Sequence, residues 1–290
     1  MDILLTGGTG QVGIELLRLV WPVGTKLHAP DRATLDLGDP LSIRRVLAER
    51  RWDAVISCGA YTAVDKAESE VGAAWASNAL APAILAEGTA AAGVPIVHVS
   101  TDYVFSGTKD APYGEDDPVA PLNVYGASKE GGEQAVRTAN PRHVLVRTAW
   151  VVSPHRSNFL RTMLRLAGDR DEVRIVADQL GCPTFAIDLA GVLQAVAIRL
   201  GADVSSPTGT YHFVNEGEAS WADFATAIFA ASGGRGGPTA RVLPIATAEY
   251  PTPARRPMNS RLSTAKLRLD FGITPRPWQD ALDDAVASLV

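Results

Sequence analysis

A tyrosine and a lysine four positions apart, Tyr125 and Lys129, are the residues whose types and spacing best suit proton transfer. Residues i and i+4 of a helix lie on the same face, so the ammonium group would lie beside the phenol. A neighbouring positive charge lowers the pKa of a phenol toward working pH and helps it to act as a general acid. Thr101 lies 24 residues upstream, at the end of an apolar segment, where its hydroxyl could donate to the same substrate oxygen. These three residues predict a site that protonates a developing alkoxide.

A glycine-rich segment near the N-terminus indicates a second kind of chemistry, the binding of phosphate. Gly7, Gly10 and Gly13 follow a short apolar segment and precede a helical one, so they predict a loop between a strand and a helix. Missing side chains let backbone N–H groups approach a pyrophosphate, and the start of the helix adds the positive end of its dipole. The segment therefore predicts a dinucleotide site.

The residues about 20 positions beyond this loop indicate which dinucleotide is bound, because the adenosine ribose is contacted there. Asp31 could accept a hydrogen bond from a ribose 2′-hydroxyl, which favours NADH. Its neighbour Arg32 could pair with a 2′-phosphate, which favours NADPH. The adjacent pair leaves both cofactors open, with a lean to NADPH.

The elements that would position these residues alternate, in the first half of the chain, between short apolar segments and helical ones. The apolar segments are continuous, as expected of strands covered by helices on both faces. We therefore predict an α/β fold with a doubly wound parallel sheet of the Rossmann type in residues 1–150, which would bind NAD(P)H. Predicted strands cover residues 3–5, 54–57, 96–100 and 144–147, and predicted helices cover residues 12–20 and 75–92.

Residues 151–290 have a looser rhythm and predict a smaller C-terminal α/β lobe that binds substrate, with room for the chain to cross between lobes. Ser220 predicts an N-cap, and Asp223 would suit the first turn of the helix that follows. Predicted helices cover residues 159–167, 187–200 and 221–231, and predicted strands cover residues 173–176 and 211–214.

The composition argues against several classes of function. The 46% hydrophobic and 20% charged residues are typical of a globular protein. The 27 basic and 32 acidic residues give a net charge of -5 without a dense basic run, so we expect no nucleic-acid and no membrane partner. The N-terminus lacks the features of a signal peptide, and Cys58 and Cys182 lie 124 positions apart without metal-ligand spacing. We expect a cytoplasmic protein.

The glycine-rich loop, the strand-end Ser100 and Thr101, and the Tyr-x-x-x-Lys pair together resemble the extended short-chain dehydrogenase/reductases. Longer segments are more specific and resemble the dTDP-4-dehydrorhamnose reductase family over nearly the whole chain. These segments are AYTAVDKAE at residues 60–68, STDYVF at 100–105, PLNVYG at 121–126, RTAWV at 147–151 and RPMNSRL at 256–262.

The resemblance implies transfer of a hydride from NAD(P)H to C4 of dTDP-4-dehydro-L-rhamnose. Tyr125 would be the proton donor, Lys129 its helper and a clamp on the nicotinamide ribose, and Thr101 a second hydroxyl on the keto oxygen. The resemblance places these residues against the cofactor: Gly10, Gln11 and Val12 at the pyrophosphate, Asp36 and Leu37 at the adenine, and Ala60, Tyr61, Thr62 and Val99 after or within the next strands. It places against the sugar nucleotide Thr101, Asp102 and Trp150. Arg256 could clamp the diphosphate of the small-molecule dTDP-sugar.

Other interpretations stay open beside this one. A sibling ketoreductase that acts on a different dTDP-deoxysugar would keep the same residues, so the sequence does not separate the two. A non-catalytic NADP-binding regulatory subunit would have no need to keep Thr101, Tyr125 and Lys129 together. An epimerase or dehydratase would need further acid/base groups, of which the sequence offers only Asp102.

A metal site is not expected. Some members of the resembling family bind a divalent ion between subunits through glutamates, and Glu15 matches one such position. Ile187 occupies the place of a second carboxylate, and its neighbour Asp188 would face another way on a helix. No later glutamate completes the set. We expect a monomer or a homodimer that needs no metal ion.

Overall fold

The computed structural model describes residues 1–290. The strands are β1 (Asp2–Thr6), β2 (Lys26–His28), β3 (Ala54–Ser57), β4 (Ile96–Thr101), β5 (His143–Thr148), β6 (Val151–Val152), β7 (Glu172–Val176), β8 (Leu180–Gly181), β9 (Thr184–Phe185), β10 (Gly209–His212), β11 (Ala219–Ser220) and β12 (Arg241–Ile245). The α-helices are α1 (Gln11–Arg18), α2 (Pro40–Ala48), α3 (Val64–Ala67), α4 (Val71–Trp75), α5 (Ala81–Ala91), α6 (Val124–Ala139), α7 (Phe159–Asp169), α8 (Ala186–Ala202), α9 (Trp221–Gly233), α10 (Ala265–Phe271) and α11 (Trp278–Ala287). A π-helical turn covers Ala76–Leu80, and 3₁₀ turns cover Asp102–Val104 and Thr247–Glu249.

A six-stranded parallel sheet with the order β10-β5-β4-β3-β1-β2 forms the larger layer. The strand order reverses between β1 and β3, so the carboxyl ends of these strands open onto a switch point where ligands bind in such sheets. Apolar residues of α1 and α8 cover one face, and those of α2, α5 and α6 cover the other. The predicted doubly wound Rossmann sheet is confirmed.

The continuous apolar strands follow from this double cover. All four residues of β3 and all six of β5 are buried. Because both faces of each strand meet a helix layer, there is no solvent face to carry alternating polar residues.

The smaller lobe is built from the parallel pair β7 and β12 with α7, α9 and α11 packed around a separate apolar cluster of 17 buried residues. Ser220 caps α9 in a capping box with Asp223, as predicted. Two segments of the second half belong to the large sheet instead, since β10 pairs with β5 and α8 packs on β3 and β4. A division into lobes at residue 150 stays a proposal, with α8 and β10 assigned to the first lobe.

The helix predicted for residues 75–92 is not continuous, because the π-helical turn interrupts it. The backbone N–H of Ala81 donates to the carbonyl of Ala76, five residues back. Pro82 has no N–H to give to the carbonyl of Asn78, so the α-helical ladder is broken at this turn. The strand predicted for residues 211–214 is also displaced, to Gly209–His212. No helix has the length and apolar character that crossing a membrane requires.

Candidate functional site

Tyr125 lies in the first turn of α6, and two contacts fix the start of this helix. The side chain of Asn123 caps the helix by accepting a hydrogen bond from the backbone N–H of Gly126 at 2.8 Å. Gly126 lies against the turn after β4, since a Cβ there would be 2.2 Å from the carbonyl oxygen of Tyr103. The ring of Tyr103 packs edge-on against that of Tyr125, with 5.6 Å between centroids. Burial raises the pKa of the Tyr125 phenol to about 12, so the lowering expected from the neighbouring Lys129 is wrong and the phenol is protonated at neutral pH.

Lys129 is buried one turn further along α6, on the face that packs against β4. Its ammonium group donates to the carbonyl oxygen of Val99 at 2.6 Å and lies 3.4 Å from Nε2 of His98. Burial lowers the pKa of Lys129 to about 8, and the charge of Glu133 acts in the opposite direction. Val99 therefore anchors the lysine through its backbone.

A buried histidine links this lysine to the neighbouring strand. Because an ammonium group can only donate, Nε2 of His98 accepts from Lys129 and its Nδ1–H donates to Oγ of Ser57, 3.0 Å away. Burial, with the nearby charge of Lys129, holds the pKa of His98 well below its ordinary value. The ring is neutral and joins β3 and β4 to the helix that carries the tyrosine.

Thr101 is the last residue of β4, and its hydroxyl already forms two hydrogen bonds. It donates to Oδ1 of Asp102 at 2.9 Å and accepts from the backbone N–H of Tyr103 at 3.2 Å. The other carboxylate oxygen of Asp102, Oδ2, is buried without a hydrogen-bond partner. Burial raises the pKa of Asp102 to about 6, against the hydrogen bond that Thr101 donates. An unpaired buried oxygen at this position suits a hydroxyl group of a bound ligand.

A buried ion pair anchors α6 to the sheet beneath it. Glu133, one turn beyond Lys129, accepts from Nη2 of Arg147 at 2.7 Å and from its Nε at 2.9 Å. The same carboxylate accepts from the Ser100 hydroxyl at 2.6 Å and from Arg137 at 2.9 Å. Burial favours the neutral acid, but the hydrogen bonds and charge of Arg147, with Ser100 and Arg137, outweigh it and lower the pKa of Glu133. The charged carboxylate fixes α6 against β4 and β5.

The glycine-rich loop joins β1 to α1 at the same edge of the sheet. Gly7 has a φ of +76°, and the N–H of Gly10 donates to its carbonyl at 2.9 Å. A Cβ at Gly13 would lie 2.2 Å from that carbonyl oxygen, so only glycine lets the first turn of α1 pack on the loop. Gln11 and Val12 begin α1, whose first backbone N–H groups have no acceptor inside the helix. These open donors fit the pyrophosphate of a dinucleotide.

Several known proteins that are similar to this chain in sequence and fold are dTDP-4-dehydrorhamnose reductases. The model of the RmlD substrate binding domain matches residues 1–290. A dTDP-4-dehydrorhamnose reductase of Burkholderia thailandensis is 45% identical over 298 residues, which cover 100% of this chain and 99% of the relative. The solved structure of a dTDP-4-dehydrorhamnose reductase from Clostridium acetobutylicum has a TM-score of 0.93 at 37% identity and covers 100% of this chain and 99% of its own. That of Bacillus anthracis, solved in complex with NADP, has a TM-score of 0.92 at 34% identity and covers 99% of each chain.

This chain belongs to the dTDP-4-dehydrorhamnose reductase family. The family resemblance and the prediction of an NAD(P)H-dependent oxidoreductase are confirmed. Within this reductase, the glycine-rich loop and the start of α1 would hold the pyrophosphate, and a contact of Lys129 with the nicotinamide ribose stays a proposal.

The adenosine end of the cofactor site is open in this reductase. Asp31 is exposed, and its carboxylate accepts from the backbone N–H of Thr34 at 3.0 Å in a local turn, which holds the pKa of the carboxyl below its ordinary value. The side chain of Arg32 is 88% exposed and lies 3.7 Å from that of Asp36. Leu37 packs against Gly59, where a Cβ would be 2.5 Å from its side chain. Both ribose candidates, Asp31 and Arg32, stay proposals.

The side-chain amide of Asn78 holds the backbone of the segment that follows β3. Asn78 accepts from the backbone N–H of Tyr61 at 2.8 Å and donates to its carbonyl at 3.0 Å. This positions Ala60, Tyr61 and Thr62 beside the loop, with the Tyr61 hydroxyl donating to Glu70 at 2.6 Å. Their contact with the cofactor stays a proposal.

Trp150 has a φ of 49° and stacks on Trp221, with 3.5 Å between ring centroids and 9° between planes. A Cβ at Gly181 would be 2.4 Å from the indole of Trp150, so the ring is also contacted by β8. The indole is therefore part of the packing of the smaller lobe, and a sugar nucleotide would meet what remains exposed of it rather than the face covered by Trp221.

Arg256 lies in an extended segment of the smaller lobe and forms a two-point ion pair across the cleft. Its Nη2 and Nη1 lie 2.8 Å and 3.1 Å from the two carboxylate oxygens of Asp65. Burial opposes the charge of Arg256, but the hydrogen bonds to Asp65 outweigh it and raise its pKa. Asp65 is thus paired with Arg256, and the exposed Glu68 accepts from the backbone N–H of Val124 at 2.8 Å.

The carboxylate of Glu15 forms ion pairs with residues of its own chain. Its carboxylate lies 3.2 Å from Nε2 of His155 and 3.7 Å from Nε of Arg18. Asp188 points to Arg276 at 2.9 Å, away from the exposed Ile187. No group of three or more histidine, cysteine, aspartate or glutamate side chains is arranged to hold a metal ion.

The sequence interpretation missed the polar residues beneath the site, namely Ser57, His98, Glu133 and Arg147. Two signals pointed to them. His98 is a polar residue inside an otherwise apolar strand, and Glu133 continues the i+4 spacing of Tyr125 and Lys129 on one helix face.

Proposed function

We propose that this protein reduces the C4 keto group of dTDP-4-dehydro-L-rhamnose to a hydroxyl with NADPH or NADH and releases dTDP-L-rhamnose. Membership of the family supports the reaction. The observation that carries the proposal is that α6, which bears Tyr125 and Lys129, packs on β4, which ends at Thr101 on the same edge of the sheet as the glycine-rich loop.

Tyr125 gives the proton in this proposal. When bound, NAD(P)H supplies the hydride that adds to C4. The phenol of Tyr125 then transfers its proton to the developing O4 alkoxide, and its pKa of about 12 keeps it in the donor form beforehand. The ammonium of Lys129, one turn away on α6, stabilises the phenolate that remains. The hydroxyl of Thr101 turns from Asp102 to O4 as a second donor.

The sugar nucleotide would be held by groups that line the same cleft. The unpaired Oδ2 of Asp102 accepts from a sugar hydroxyl, which removes an unsatisfied buried oxygen. Arg256 offers a guanidinium that Asp65 holds in place, and a diphosphate would bind it through charge-assisted hydrogen bonds. Trp150 would contact the sugar nucleotide with the part of its indole that Trp221 leaves uncovered.

The decisive experiment is turnover of dTDP-4-dehydrorhamnose, generated in the cuvette and followed as loss of NADPH absorbance. We expect loss that depends on both enzyme and sugar nucleotide. Activity on a different dTDP-4-keto sugar alone would show the sibling ketoreductase, and tight NADPH binding without turnover of any such sugar would show the regulatory protein. The wild type with dTDP-glucose, which carries no keto group, is the control.

We also propose that the protein acts in the cytoplasm as a monomer or a homodimer that needs no metal ion. Two free cysteines and a Glu15 carboxylate already paired with His155 and Arg18 support this. Cell fractionation and sedimentation velocity at two protein concentrations test it.

A further inference from the structure

A short segment of the smaller lobe, residues 153–158, crosses over the glycine-rich loop. The side chain of Gln11 accepts from the Ser153 hydroxyl and from the Asn158 amide, both at 2.8 Å. It also donates to the carbonyl of Val151 at 3.2 Å. The side chain of Gln11 therefore serves the contact between lobes, and only its backbone remains for a cofactor. The crossing segment lies directly beside the site of the pyrophosphate.

Arg156 is the unusual residue of this segment. Its φ of 59° lies in the left-handed region, which a residue with a Cβ adopts at a cost in backbone energy. Strain of this kind persists where the surroundings demand it and is common at ligand sites. Nε of Arg156 donates to the carbonyl of Thr9, inside the glycine-rich loop, at 2.8 Å. The strained backbone thus directs a guanidinium at the phosphate-binding loop.

The charge of Arg156 has no counter-charge in the chain. No carboxylate lies within ion-pair distance of it, although 17 side-chain pairs elsewhere in the chain meet that criterion. The one acidic residue of α1, Glu15, already forms ion pairs with His155 and Arg18. The guanidinium also lies beside the N-terminus of α1, which is the positive end of that helix dipole. The guanidinium of Arg156 and the N-terminus of α1 are both positive and have no carboxylate between them, which favours the binding of an anion there.

We propose that Arg156 binds the pyrophosphate of NAD(P)H together with the glycine-rich loop, so that the dinucleotide joins the two lobes. Nε keeps its hydrogen bond to Thr9, and the two Nη groups, which bond nothing in the chain, donate to phosphate oxygens. The proposal rests on the dinucleotide site and not on the identity of the sugar. A negative result in the sugar assay would therefore not decide the role of Arg156, which is tested by cofactor affinity alone.

The test replaces Arg156 by glycine, glutamine and lysine and measures nucleotide affinity and thermal stability. A purely structural role of Arg156 would lower both together. These are the Kd for NADPH and for ADP, by calorimetry at two salt concentrations, and the thermal midpoint of the free protein. Arg161→Gln is the matched control, because Arg161 is also exposed, lies in the same region and donates to a backbone carbonyl, that of Pro154, at 2.7 Å.

We expect Arg156→Gly and Arg156→Gln to weaken NADPH and ADP about tenfold, the effect of losing one charge-assisted contact in a partly exposed site. Arg156→Lys keeps the charge and stays within about threefold. The Kd of Arg156→Gly becomes less sensitive to salt, while its thermal midpoint stays equal or rises, because glycine adopts the left-handed backbone without strain. Arg161→Gln leaves every Kd unchanged.

Two results would overturn the proposal. One is a Kd for ADP in Arg156→Gly within twofold of wild type. The other is a fall of several degrees in the thermal midpoint of Arg156→Gly, with an equal loss of affinity in Arg156→Lys. The second result would show that Arg156 only holds the crossing segment in place.

Discussion

Replacing Glu133 by glutamine removes the charge at the centre of the buried network beneath α6. The carboxylate of Glu133 is fully buried, and the side chain of Arg147 is 3% exposed. Glutamine keeps one acceptor for Arg147 but turns an N–H₂ group toward a guanidinium or toward the hydroxyl of Ser100. The substitution therefore leaves a buried positive charge with an incomplete partner.

The cost follows from this burial. Removing one member of a buried, hydrogen-bonded ion pair costs about 3–5 kcal/mol of the free energy of unfolding, because the remaining charge stays desolvated. Glu130→Gln is the matched control on the same helix. Its carboxylate is 22% exposed and lies 3.7 Å from Arg137, so we expect a loss below about 1 kcal/mol. Replacing both buried partners, Glu133→Leu with Arg147→Met, should recover part of the loss, since it leaves no fully buried charge without a partner and the partly exposed Arg137 keeps Glu130.

Urea unfolding of the four proteins measures these differences, and kcat at saturating substrate reports whether α6 still positions Tyr125. The pH dependence gives an independent check. The pKa of Glu133 is lowered in the folded state, so its contribution is present above the unfolded value of about 4.3 and is lost as the pH falls through the folded value. Glu133→Gln should flatten the stability profile in that acid range. A loss below 1 kcal/mol for Glu133→Gln, or one equal to that of Glu130→Gln, would refute the reasoning.

Four further expectations concern the site. Tyr125→Phe keeps the ring packing but removes the acid, so kcat should fall about 10²–10⁴-fold with an unchanged Kd for NADPH by fluorescence titration. Arg32→Ala should erase the preference for NADPH over NADH in kcat/KM, and an unchanged ratio would assign the preference elsewhere. Gly13→Ala forces a Cβ to 2.2 Å from a backbone oxygen and should abolish NADPH binding, whereas Gly168→Ala, with nothing within 4 Å, should bind normally. Activity and sedimentation should be unaffected by EDTA, and a loss restored by Mg²⁺ would show that Glu15 has found further ligands.

Local patterns in the sequence predicted the parts of the site that depend on neighbours in the chain. The pattern of Gly7, Gly10 and Gly13 spans seven residues, and the spacing of Tyr125 and Lys129 needs only one helical turn. The sheet followed from continuous apolar segments, whose burial on both faces needs no knowledge of their partners.

The remaining features depend on residues that are distant in sequence, and no local pattern carries them. Asp65 and Arg256 are separated by 191 positions, so each looks like an exposed charge until the fold brings them together. The resemblance places Trp150 against the sugar nucleotide, but Trp221 already covers one face of its indole. The contacts of the Gln11 side chain are hidden for the same reason, because its partners lie 140 or more positions away.

The return of β10 to the large sheet has a consequence for how the chain acquires its structure during synthesis. All six residues of β5 are buried, and β10 supplies the outer edge by pairing Gly209–His212 with residues 144–147. Until residue 212 has left the ribosome, β5 is an open apolar edge of the kind that recruits other chains. The nascent first lobe therefore has to wait for about sixty more residues, and chaperones that hold exposed strands would act in that interval. A gene truncated after residue 150 would encode an aggregating fragment rather than an isolated cofactor-binding domain.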